Sequence, residues 1–327
     1  MKVKIALLGL GQVGRSFLRI LAENSDYYEQ RLRRKIEIVV AADFHHMLHA
    51  ECGMDPQRLL YYKEKGDIWG TGYPEIDRES LFDKEFDVLV DLMPATSDGI
   101  RARDLYLTSF GKSRDVVTAC KSGLANFWPE IMSAASSSNR RIRYEATVAG
   151  GVPFFSFIQE CLRSSVVTRI VGQVNSAANF VLLSIAKGET FDHAIEEAGK
   201  LGILEANYHF DTLGNDSAWK TVITANSIFG SALKPHNIRF EGVEGLDPEV
   251  PGLKYTRLLA EIAVQDGKIV ASSTLRKLKQ SDPLASLKGK GLGYTVYMNG
   301  RAPLTVLEFN DGPTETATAV INDLLLL

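Results

Sequence analysis

Over residues 1–128 the chain alternates short apolar runs with amphipathic segments. Ile5-Ala6-Leu7-Leu8 leads into a helical pattern over Val13–Asn24, and a charged stretch, Ser25–Lys35, separates it from a second apolar run, Ile36–Ala42, that ends in Asp43. The pattern returns at Phe86–Met93, closed by Pro94, and at Asp115–Ala119, which follows the turn Phe110-Gly111-Lys112. Apolar runs of this length bounded by turn residues read as strands buried on both faces, and strands alternating with helices read as βαβ units. Right-handed crossovers then give a doubly wound parallel sheet, an α/β fold of Rossmann type. Ligands of such sheets sit beyond the carboxyl ends of the strands, which places Gly9–Gly14, Asp43, Met93-Pro94 and Cys120-Lys121 along one crevice.

The second half has a different texture. Residues 169–181, 238–243, 268–276 and 292–298 read as strands, and 189–202, 216–230 and 253–265 as helices. Without strict alternation this is an α+β pattern, expected of a catalytic and dimerisation domain. The apolar segment Thr316–Leu327 reads as a docked helix. The expected organisation is a dinucleotide-binding domain over 1–130, with 312–327 packing back on it, and a substrate-binding and dimerisation domain over 131–311.

The 327-residue length suits two packed domains. With 45% apolar and 24% charged residues the composition is that of an ordinary globular protein. Lys and Arg number 37 against 40 Asp and Glu, a net charge of −3, so nothing suggests a nucleic-acid or anionic-membrane partner. The apolar runs fall short of a membrane span and the first residues lack a signal-peptide pattern, so a cytoplasmic protein is expected. Cys52, Cys120 and Cys161, odd in number and far apart, fit a reducing compartment.

Gly9-Leu10-Gly11-Gln12-Val13-Gly14 directly follows the first strand. The first glycine permits a tight turn, the second lets backbone approach a pyrophosphate, and the third lets the following helix pack on the strand. A helix N-terminus there favours an anion, so the turn points to a dinucleotide. Asp43 closes the second strand, where a carboxylate accepts from a ribose 2′-OH and repels a 2′-phosphate, favouring NAD over NADP. It stands 29 residues past Gly14 rather than the usual ~20, and the Ser25–Lys35 stretch accounts for the excess. His45, His49 and Cys52 would share a face if helical, but no fourth zinc ligand is evident, and the histidines read as surface or cofactor-edge groups.

Reducing a carbonyl builds negative charge on oxygen, which a lysine ammonium can stabilise and then protonate. Lys121 follows the strand Asp115–Ala119 and reaches the sheet crevice. Lys220 stands four residues after Asp216, so the two share a helix face. On a surface this would be a weak ion pair, but Glu205, Asp211 and Asp216 crowd the lysine around a glycine turn, and the following Thr221–Phe229 is apolar. Such a cluster in a cleft would hold a cationic amino group.

Four motifs together resemble the homoserine dehydrogenase family over nearly the whole chain. They are Gly9-Leu10-Gly11-Gln12-Val13-Gly14-Arg15, Val116-Val117-Thr118-Ala119-Cys120-Lys121, Glu145-Ala146-Thr147-Val148-Ala149-Gly150-Gly151-Val152-Pro153, and Gly202 to Lys220. The resemblance implies interconversion of L-aspartate 4-semialdehyde and L-homoserine with NAD or NADP, a branch-point step toward threonine, methionine and isoleucine, in a short homodimeric form without an ACT-type extension. It makes Lys220 the proton donor and Lys121 its partner at the substrate and nicotinamide. Glu205, Asp211 and Asp216 would take the substrate's amino end, and Gly312 would belong to an abbreviated cofactor turn. It further implies sodium held by the main-chain carbonyls of Glu145, Val148, Gly150 and Val152, in a segment that reads as a hinge.

The chain departs from the family pattern in two places. Cys120 stands where the family has Asn, and Asn175-Ser176-Ala177-Ala178-Asn179 replaces Asn-Gly-Thr-Thr-Asn. These changes keep other readings in view: a dehydrogenase of a related small hydroxy-amino acid, a non-catalytic NAD-binding regulatory homologue, or a phosphorylating aldehyde dehydrogenase with Cys120 as nucleophile.

Overall fold

The structure is a computed structural model that describes residues 2–201, 203–204, 208–246 and 252–327. It divides into two compact units, Met1–Gly150 with Pro313–Leu327, and Gly151–Gly312.

The first unit runs β1 (Lys2–Leu8), α1 (Gln12–Leu32), β2 (Lys35–Ala42), β3 (Met47–Met54), α2 (Pro56–Glu64), β4 (Val88–Asp91), α3 (Ile100–Gly111), β5 (Asp115–Thr118), α4 (Lys121–Ser137) and β6 (Ile142–Arg143). These strands make a sheet of order β3-β2-β1-β4-β5-β6. All neighbours are parallel except β3, which returns antiparallel along β2. Strand order reverses between β1 and β4, the position at which open α/β sheets bind ligands. Ile5, Leu7, Val88, Val90 and Val117 from the strands join Phe17, Leu18 and Leu21 of α1 in one buried cluster.

Three expectations change here. The α1 helix does not stop at Asn24 but continues through the charged stretch to Leu32, because those polar residues are solvated on its outer faces while Tyr28 still packs against the core. The segment from Met47 is a strand, so His49 and Cys52, an odd number of residues apart, point to opposite faces. Among the described residues no group of three or more His, Cys, Asp or Glu could hold a metal ion. The first unit also extends to Gly150 instead of ending near 130, because β6 adds a parallel strand beyond β5.

The second unit runs α5 (Phe154–Ser156), β7 (Val167–Gln173), α6 (Ser176–Ile185), α7 (Phe191–Lys200), α8 (His209–Thr212), α9 (Asn215–Phe229), β8 (Arg239–Phe240), β9 (Thr256–Gln265), β10 (Lys268–Lys277), β11 (Leu292–Met298) and β12 (Arg301–Glu308). Its sheet, of order β12-β11-β7-β9-β10-β8, is antiparallel except where β8 joins β10. Ala178, Val181, Leu182 and Ile185 of α6 pack with Leu258 of β9 and Val243. The 169–181 strand breaks in two, because Asn175 caps a helix whose apolar residues serve this core. Residues 256–265 are a strand, not a helix, since hydrogen bonds to β7 and β10 on both sides outweigh the helix propensity of Leu, Ala and Glu. After the second unit comes α10 (Pro313–Leu325), whose Ala317, Val320, Ile321 and Leu324 recur at helical spacing and are buried in the first unit's core.

Candidate active site

In the first unit the glycine turn is shaped by close approach. Gly9 has φ +101°, and a Cβ there would lie 2.5 Å from Leu92 O at the end of β4. Its N–H donates to Ala42 O at the end of β2, 2.8 Å away, so the turn is tied to both neighbouring strands. A Cβ on Gly14 would collide with Gly9 O, whereas one on Gly11 meets nothing within 4 Å. The turn is therefore rigid around an open approach at Gly11, and it delivers the N-terminus of the 21-residue helix α1. This is the shape and polarity that a pyrophosphate needs.

Asp43 lies where expected, at the end of β2, but it is not a bare carboxylate. Its Oδ1 accepts the backbone N–H groups of His45 and His46 at 2.9 Å each, and its Oδ2 accepts Lys63 Nζ at 2.6 Å. Burial raises its pKa, and the Lys63 bond with the two backbone N–H groups more than offsets this, holding the carboxyl below its ordinary value. Arg78 donates to the carbonyls of Asp43 and Phe44, at 3.0 and 2.7 Å. An open depression of about 700 Å³, lined by His45, Met47, Glu75 and Arg78 among others, borders this turn. Lys63 and Arg78 had no signal in the sequence, since each is one of many charged residues on solvated segments.

Met93-Pro94 follows β4, and the Pro94 carbonyl accepts a hydrogen bond from Arg101. Beneath it, Asp91 is fully buried and accepts Tyr106 Oη–H at 2.7 Å and Met93 N–H at 3.0 Å. Lys121, half-buried, opens α4 directly after β5. Cys120 beside it is 2% exposed. Burial, and after it the Asp91 carboxylate, push its thiol up to about 12, so at neutral pH it holds its proton. A buried, protonated thiol is a poor nucleophile, which weighs against the aldehyde-dehydrogenase alternative. Iodoacetamide at neutral pH is expected to label the exposed Cys52 and Cys161, spare Cys120 and leave activity intact, as read by peptide mass mapping. Labelled Cys120 with lost activity would restore the thiol chemistry.

In the second unit the acid and lysine cluster assembles around the β7–α6 connection. Lys220 Nζ pairs with Asp216 Oδ2 at 3.0 Å and donates to Val174 O at 2.8 Å. Asn175 Nδ2 donates to Asp211 Oδ1 at 3.0 Å and to Asp216 Oδ2 at 2.8 Å. Asp211 and Asp216 are 5% and 3% exposed, and the Lys220 side chain 12%, so this is no solvated surface pair. Gly214, at φ +88°, makes the turn between α8 and α9 that sets the two aspartates side by side; a Cβ there would strike Glu241 O. Glu205, the third acid of the expected set, lies outside the described residues. The sequence reading named Asn175 only as part of the altered Asn175–Asn179 turn and gave it no role, because the segment was also taken as a continuous strand; an Asn before a run of small and apolar residues is the N-cap signal that could have marked it.

Two of the hinge carbonyls expected to hold sodium accept backbone hydrogen bonds. Glu145 O already accepts the N–H groups of Val148 and Ala149, at 3.2 Å each, and Val152 O that of Phe154 at 2.8 Å. Glu145, Val148 and Gly150 belong to the first unit and Val152 to the second. Gly312 ends the second unit just before α10. No helix of the described residues is long and apolar enough to cross a membrane.

Comparison with known proteins identifies the family. The family model for homoserine dehydrogenase matches residues 153–325. Homoserine dehydrogenase of Methanocaldococcus jannaschii is 30% identical over 335 residues, covering 98% of this chain and 97% of that protein. The crystal structure of homoserine dehydrogenase from Thermoplasma acidophilum superposes with a TM-score of 0.89 at 36% identity, covering 100% of this chain and 99% of that one. A hyperthermophilic archaeal homoserine dehydrogenase in complex with NADPH gives 0.84 at 28% identity, covering 99% and 97%. Matched from end to end by such relatives, the chain belongs to the homoserine dehydrogenase family, NAD(P)-dependent oxidoreductases that act on a CH–OH group.

Proposed function

We propose that this chain interconverts L-homoserine and L-aspartate 4-semialdehyde with Lys220 as the group that moves the proton at the substrate oxygen. The observation that carries this is the anchoring of its ammonium. Val174 O and Asp216 engage two of its three N–H donors and fix its direction, which leaves the third for a developing alkoxide. In reduction Lys220 gives that proton to the oxygen; in oxidation its neutral amine takes the hydroxyl proton. Asp211 and Asp216, with Glu205, receive the substrate's ammonium group. Lys121, at the carboxyl edge of the first sheet, adds positive charge where the carbonyl is polarised.

Bound NAD(P) supplies the hydride acceptor in one direction and the hydride donor in the other. The turn Gly9–Gly14, with Leu10, Gln12 and Val13, holds the pyrophosphate, and Met93-Pro94 and Gly312 complete the cofactor contacts. Asp43 disfavours a 2′-phosphate, but Lys63 at 2.6 Å tempers that repulsion, so the chain accepts both cofactors with NAD ahead. The same protein works as a homodimer. One face of the second sheet carries Arg169, Glu261, Tyr297 and Leu307 only partly buried, a mixed apolar and charged surface suited to a second copy.

Purified protein is expected to reduce NAD, and NADP more slowly, with L-homoserine, seen as rising absorbance of the nicotinamide band. Other hydroxy-amino acids, L-serine and L-threonine among them, serve as controls. Turnover of another alcohol with none of homoserine would sink the substrate. Cofactor binding without turnover of any alcohol would instead favour the regulatory homologue.

A further inference from the structure

The two residues that join β7 to α6 touch each described member of the acid and lysine cluster. The main-chain carbonyl of Val174 holds Lys220, and the side chain of Asn175 holds Asp211 and Asp216. Asn175 is 2% exposed, and its amide orientation is fixed by its surroundings: Oδ1 accepts the Ala178 N–H at 2.7 Å, so the NH₂ group faces the acids. Those acids come from different elements, α8 and α9, and both are buried. Two buried carboxylates brought this close repel, and repulsion either turns them apart or protonates one. A primary amide is the neutral group that carries two hydrogens on one nitrogen, and here each hydrogen goes to one carboxylate. Asp216 Oδ2 receives both Asn175 and Lys220, so the amide also bears on the direction of the lysine.

We propose that Asn175 is a positioning residue for the reaction: its amide fixes the spacing and direction of the Asp211 and Asp216 carboxylates that bind the substrate's ammonium group. This rests on the assignment of those two carboxylates to the substrate made above. An N-cap role alone does not account for it, since Asp or Ser caps a helix as well as Asn does. Neither replaces the bridge. Aspartate offers a third acceptor in the same volume, and serine is too short to span both acids.

The test uses the full-length enzyme with Asn175→Asp and Asn175→Ser, each of which keeps the helix cap. If the amide positions the acids, KM for homoserine rises about tenfold or more in both variants, while KM for NAD stays within about twofold of wild type. A purely structural role would lower thermal stability and leave both KM values in place. Homoserine KM unchanged in either folded variant, or homoserine and NAD KM rising together, would overturn the proposal. Should Asn175→Asp fail to fold with a third buried acid, the neutral Asn175→Ser variant decides. Wild type inactive on homoserine would fell the substrate assignment and this proposal with it; active wild type with unaffected variants would fell the proposal alone.

Discussion

Lys220→Ala is expected to lower kcat for homoserine oxidation by about 10²- to 10⁴-fold, the range over which a positioned general acid or base contributes. The loss should fall on kcat more than on NAD binding, because Lys220 belongs to the second unit and the glycine turn to the first. The alanine variant also strips Asp216 of its ion pair, 3.0 Å long and mostly buried, so it mixes lost chemistry with a disturbed carboxylate. Lys220→Arg separates the two effects. A guanidinium keeps the positive charge beside Asp216 and Val174 O, yet its proton is held too tightly to be exchanged near neutral pH. If proton movement is what Lys220 does, the arginine variant stays within about tenfold of the alanine variant while recovering its thermal stability. An arginine variant with nearly wild-type kcat would reduce Lys220 to a fixed charge. Steady-state rates, with cofactor affinity measured separately by fluorescence, decide between these outcomes.

That lysine and its aspartate were visible in the sequence because a four-residue spacing on a helix is a local relation. The same is true of the Gly9–Gly14 turn and of β1, β2, β4 and β5, whose runs are apolar enough to be buried whatever surrounds them. What escaped was set at a distance. The β9 strand carries Arg257-Leu258-Leu259-Ala260-Glu261, good helix formers, and only its partners on either side make it extended. A local signal was nonetheless present. Asp266-Gly267 follows directly, both at positive φ, and joins β9 to β10 as the two-residue turn that favours a hairpin. Asn299-Gly300 stands in the same relation to β11 and to β12, the strand that was missed.

The site itself divides along the same line. Asp43 was placed correctly at the end of β2, but Lys63, twenty residues away, alters what its charge can do. Asp211 and Asp216 were recognised as a crowd of acids around a glycine turn. The amide that bonds to both comes from 36 and 41 positions upstream, across a strand-to-helix junction that periodicity blurred. Chemistry was legible where a few consecutive residues carry it. Positioning was not, because a buried polar group is satisfied by whichever partner the fold delivers.

The glycine turn allows a paired prediction, because two of its glycines are needed for different reasons. At Gly14 an added Cβ would collide with the Gly9 carbonyl within the turn, so Gly14→Ala forces the backbone to shift even without cofactor. Overpacking of this kind costs about 1–3 kcal/mol, only partly offset by the ~1 kcal/mol that Ala gains over Gly inside a helix. A displacement of about 1 Å in groups that position a reactant can cost about 10²-fold, and NAD affinity should fall on that order. At Gly11 a Cβ meets nothing within 4 Å and φ is −73°, so Gly11→Ala strains nothing in the protein itself. Its melting temperature should stay near wild type, while the methyl group stands in the backbone's approach to the pyrophosphate and weakens NAD binding. Gly14→Ala thus loses stability and affinity together, and Gly11→Ala loses affinity alone. Calorimetric titration with NAD beside thermal melts reads both quantities. If Gly11→Ala binds NAD as tightly as wild type, the open side of the turn is not where the phosphates lie, and the anchoring of the cofactor must be sought elsewhere along the carboxyl edge of the first sheet.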